Sequence, residues 1–76
     1  MSLGRFISDQ RERRGLSQRE LANLSSVPLQ TLRDIEQDRR STITMETARR
    51  LARALGVSID QLADASRDID FAAAVA

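Results

Sequence analysis

Apolar residues recur along most of the chain at the spacing of a helix face, broken by short polar interruptions. Between Gln18 and Gln37 they fall at Leu21, Ala22, Val27, Leu32 and Ile35, with a gap from Ser25 to Pro28. The period of about 3.6 residues therefore stops and restarts across a short turn, which predicts two short helices meeting at an angle. Ser17 with Glu20 three residues on forms a capping box, in which each side chain satisfies the other residue's free backbone donor. Leu16 and Leu21 flank it as a hydrophobic staple. The pattern leaves Leu29, Gln30, Arg33 and Asp34 facing outward.

The same reading extends to both sides. A first helix is expected over about residues 2–14, with Leu3, Phe6 and Ile7 on one face, Arg5, Asp9, Glu12 and Arg13 on the other, and Gly15 as its stop. Pro28 suits the start of the third helix, because it has no donor to leave unsatisfied there. After a polar loop, Thr44 caps a fourth helix over about residues 45–55, whose inward face is Ala48, Leu51, Ala52 and Leu55, and Gly56 ends it. Ser58 with Gln61 repeats the capping box and opens a short fifth helix. The last twelve residues, ASRDIDFAAAVA, carry no clear cap and read as a frayed helix, a disordered tail or a segment ordered only in a dimer.

Seventy-six residues suffice for one small domain, without room for a separate catalytic one. Strand-like alternation is absent, so the fold is expected to be all-α. The chain has no Cys and no His, which removes disulfides, thiolate metal sites, the usual general base and the commonest metal ligand. A binding module without cofactor fits this better than an enzyme. No apolar run reaches the length of a signal peptide or membrane span, and a soluble, cytoplasmic protein is expected. The net charge of +1 hides an asymmetry: residues 1–53 carry +4 and residues 54–76 carry −3. All twelve basic residues are Arg, a choice that suits two-pronged phosphate contacts but equally reflects a GC-rich genome.

The stretch QRELANLSSVPLQTLRDIEQ resembles the helix-turn-helix of the lambda-repressor and Cro-like family, often called the XRE family. The likeness continues outward from Gly4 and Ile7 to LARALGVSIDQL at 51–62, so it covers roughly the first 64 residues. It implies a compact five-helix DNA-binding domain over 1–64, with the helix-turn-helix at helices two and three, and a C-terminal tail over 65–76 that is helical or dimer-associated. Two positions depart from the family pattern. Ser26 and Asp38 stand where the family prefers Gly in a left-handed conformation, and at Ser26 this costs roughly 1 kcal/mol or forces a different turn.

By that resemblance, the third helix lies in the major groove of a duplex. Gln30 then pairs with adenine, Arg33 makes a two-pronged contact to guanine, and Leu29 packs on a thymine methyl. Asp34 reads a base or instead orients Arg33. Gln18 and Thr31 reach phosphates, as do Arg39, Arg40, Ser41 and Thr42 in the loop that lies along the DNA backbone in relatives. Arg11 and Glu36 are expected to pair and to clamp the first helix to the end of the third. A homodimer is implied, with Ile59, Leu62, Ala63, Ile69 and Phe71 at its contact, reading a palindromic operator; for Leu62 the alternative is a simple core-capping role. The expected function is a small transcriptional regulator, more readily a repressor: a phage-type repressor, a restriction-modification controller or a toxin–antitoxin autoregulator. The alternative is a protein-interaction module on the same fold, such as an antitoxin that engages a toxin or a co-regulator.

Overall fold

The computed structural model describes residues 2–40, 42–65 and 70–72, the last three by their backbone alone. Five helices follow in order: α1 Leu3–Arg13, α2 Gln18–Ser25, α3 Leu29–Glu36, α4 Met45–Leu55 and α5 Ile59–Ala65. Four of them start at a hydroxyl that accepts from the backbone N–H three residues on. Ser2 accepts from Arg5 and Thr44 from Thr47, both at 3.1 Å. At Ser17 and Ser58 the partner side chain, Glu20 or Gln61, also accepts from the cap's own N–H, at 2.9 and 2.8 Å. Each such cap contributes about 1 kcal/mol, which matters for helices of two or three turns. The exception is α3, whose Pro28 makes no side-chain cap bond.

Leu3 and Ile7 from α1, Leu21 and Ala22 from α2, Leu32 and Ile35 from α3, and Leu51 and Leu55 from α4 meet in one buried cluster. Leu62 of α5 belongs to it and is fully buried. This corrects the expectation that Leu62 serves a dimer contact: with no exposed surface, its side chain closes the core beneath α1 and α4.

A second difference concerns the loop and the tail. Thr42–Thr44 (β1) and Asp70–Ala72 (β2) pair in parallel, with Ile43 opposite Phe71. Residues 70–72 of the tail thus form a strand rather than a helix. Three residues are too few for an alternating pattern to be read, yet β1 shows one, with Ile43 buried between two exposed threonines. Ile69 lies outside the described residues, as does the side chain of Phe71.

The turns place two non-glycine residues in the left-handed region, Ser26 and Asp38, each at φ 58°. Ser26 therefore keeps the family's turn and bears the strain of it. Asp38 has a compensation: Ser2 Oγ donates to its carboxylate at 3.1 Å, tying the start of α1 to the end of α3. Beside that bond the two helices approach so closely that a Cβ on Gly4 would lie 2.5 Å from the Ile35 carbonyl oxygen and 2.7 Å from that of Glu36. Only glycine fits there.

Candidate nucleic-acid interface

The C-terminal end of α3 is held from two sides, by α1 and by α2. Arg11 reaches it from α1, donating from Nε to Glu36 Oε2 at 2.9 Å and from Nη2 to Oε1 at 3.0 Å. The remaining fork of the same guanidinium donates to the Leu16 carbonyl at 2.8 Å, so one side chain joins α1, the turn before α2 and α3. Gln18, the first residue of α2, donates to Glu36 Oε1 at 3.2 Å. The side chains of Arg11 and Glu36 are 14% and 5% exposed. Donation to the Glu36 carboxylate raises the Arg11 pKa above its ordinary value, against a smaller opposing effect of burial. In so shielded a place the pair fixes geometry more than it adds net stability.

With that end fixed, the opposite face of α3 is turned out. Gln30 and Arg33 are exposed, and Leu32 and Ile35 on the other side are buried in the core. Among the described residues no carboxylate lies within ion-pair distance of Arg33, so its guanidinium is open to a ligand. Leu29 is half-buried and packs against the core cluster, which leaves only part of it to meet a thymine methyl. Thr31 is half-buried at the margin of the face.

Asp34 does not orient Arg33. It accepts from Gln30 Nε2 at 3.0 Å and pairs with Arg40 Nη2 at 3.7 Å. The Asp34 carbonyl also accepts from the Arg39 N–H at 2.9 Å, which folds the loop back on the helix. Residues four apart share a helix face, so the Gln30–Asp34 bond is local and worth roughly 0.2–0.5 kcal/mol of helix stability. Arg39, Arg40 and Thr42 are exposed along this edge. Ser41 lies outside the described residues. The reach of Arg39 and Arg40 beside α3 gives the face a cationic border suited to phosphates.

Sequence reasoning missed three contributors to this arrangement. Ser2 and Asp38 are joined across 36 residues, a distance no local pattern reveals. Arg50 of α4 donates to the Ser26 carbonyl at 3.0 Å and pins the turn between α2 and α3 from behind. Glu46 pairs with the same Arg50 at 3.0 Å, and the spacing of four residues on a helix was the available signal. Away from α3, Leu24 is 63% exposed at a hollow between α2 and α4 that Arg49, Arg53 and Val57 also line. No helix among the described residues is long and apolar enough to cross a membrane.

A family model described as Helix-turn-helix matches residues 7–62, from the middle of α1 into α5. No curated protein matches the chain.

Proposed function

The chain belongs to the helix-turn-helix family of DNA-binding regulators, and from that premise we propose that it is a repressor binding a palindromic operator as a homodimer. The observation that carries this is the outward face of α3, where Gln30 and Arg33 stand exposed while the far end of the helix is locked to α1 and α2. In this reading Gln30, Arg33 and part of Leu29 meet base edges, and Gln18, Thr31, Arg39, Arg40 and Thr42 meet phosphates. One domain of this size buries too little surface to be both tight and selective. Two copies on half-sites about 34 Å apart solve that. Ile59, half-buried, and Ala63, exposed, remain on the surface of α5 for such a contact. The protein works in the cytoplasm, does no chemistry of its own, and blocks a promoter by occupancy.

Selection of bound duplexes from a random pool tests this reading. A palindromic consensus with half-sites one helical turn apart is expected. Enrichment of no sequence, with binding indifferent to Gln30→Ala and Arg33→Ala, would instead assign the fold to protein recognition.

A further inference from the structure

We infer that Asp34 is a positioning residue that sets base specificity through Gln30, favouring adenine over guanine at the base pair Gln30 meets. The inference rests on the major-groove reading of α3 proposed above. An ionised carboxylate accepts hydrogen bonds and cannot donate. Of the two ends of the Gln30 amide only the nitrogen donates, so the 3.0 Å contact with Asp34 dictates which way the amide faces. The carboxylate has little freedom to release it. Arg40 holds its other oxygen at 3.7 Å, and the Arg39 N–H holds the Asp34 main chain at 2.9 Å.

Gln30 is then left with its carbonyl oxygen and one N–H. Adenine offers N6–H as donor and N7 as acceptor in the major groove, which matches that remainder atom for atom. Guanine offers two acceptors, N7 and O6, and requires two donors from the protein. An unheld glutamine can turn its NH2 group to guanine. A glutamine held by Asp34 must break that bond to do so, and otherwise sets its oxygen against O6. Asp34 thus rejects guanine without touching DNA.

The test measures affinity for the selected operator and for the same duplex with guanine replacing adenine at the position Gln30 reads, that position being the one whose preference Gln30→Ala abolishes. Wild type, Asp34→Asn, Asp34→Ala and Arg40→Ala are compared. Wild type should prefer adenine by about tenfold or more. Asp34→Asn, which keeps the shape but can donate or accept, and Asp34→Ala should each lower that ratio roughly threefold to tenfold, on the same scale. Both should bind the original operator no more weakly than wild type, because a negative charge near the phosphates is gone. Arg40→Ala should weaken both duplexes and lower the ratio by less than either Asp34 variant, because the Arg39 N–H still holds the Asp34 main chain. An unchanged ratio in both Asp34 variants, or an equal fall in Arg40→Ala, overturns the inference while the major-groove reading stands. A Gln30→Ala variant that alters no base preference overturns it as well. A wild-type protein with no duplex affinity overturns the major-groove reading itself.

Discussion

The pair between Arg11 and Glu36 gives the sharpest stability prediction. Glu36→Leu strands a guanidinium that is 14% exposed, leaving it the Leu16 carbonyl at 2.8 Å and the exposed Glu12 carboxylate at 4.0 Å. Arg11→Met strands a carboxylate that is 5% exposed, held only by Gln18 at 3.2 Å. Removing one member of a buried pair costs about 3–5 kcal/mol, and the water still reaching Arg11 argues for the lower end, about 3 kcal/mol for either change. A chain of this length is stable by roughly 4–11 kcal/mol, so each single variant approaches the unfolding threshold. At about 4–8 °C per kcal/mol, the loss in Tm is roughly 15 °C. The double variant Arg11→Met with Glu36→Leu leaves no buried charge unpaired and should return to within about 1 kcal/mol of wild type. Urea and thermal denaturation followed by circular dichroism give all four free energies. Single variants that each lose less than about 0.5 kcal/mol would show an exposed, weakly coupled pair, and a double variant losing the sum of the singles would refute the clamp.

Gly4→Ala should destabilise the fold by about 1–3 kcal/mol in a urea titration, since carbonyl oxygens of α3 occupy the new methyl's place and overpacking exceeds the helix-propensity gain. Ser26→Gly should raise stability by about 0.5–1 kcal/mol, because the φ of 58° suits glycine and the bond from Arg50 to the Ser26 carbonyl survives the change. Hydrogen bonds from Ser17 lower the Glu20 pKa below its ordinary value of 4.5, so its contribution is present above that pH and is lost as the pH falls through the lowered value. The Tm difference between wild type and Glu20→Gln should accordingly shrink on acidification below about pH 4.5, and a difference constant down to strong acid would exclude the capping box as its source.

The helices were legible because each carried two independent signals, a period and a boundary residue, which for α3 was Pro28 rather than a capping side chain. The starts of α2 and of α5 follow from Ser17 with Glu20 and Ser58 with Gln61, and α4 was bounded by Thr44 and Gly56. The pair of strands was not legible, since β1 has three residues and its partner lies 28 positions away, where only chain folding brings Phe71 opposite Ile43. Leu62 could be read either as core or as interface, for its spacing on a short helix fits both, and burial decided for the core. On α3 the outward set was visible in the spacing of Leu32 and Ile35. The partners of Asp34 were not, because Arg40 arrives from a loop whose course no periodicity dictates.

The proposed repressor function depends most on the outward face of α3 reading a duplex. Its most direct test is a duplex selection repeated with Gln30→Ala, Arg33→Ala and Arg39→Ala. The first two should each relax preference at one position per half-site, at a cost of about 1–3 kcal/mol, whereas Arg39→Ala should weaken all sequences alike. Gln30→Ala and Arg33→Ala proteins that select the wild-type sequence with wild-type affinity would contradict it.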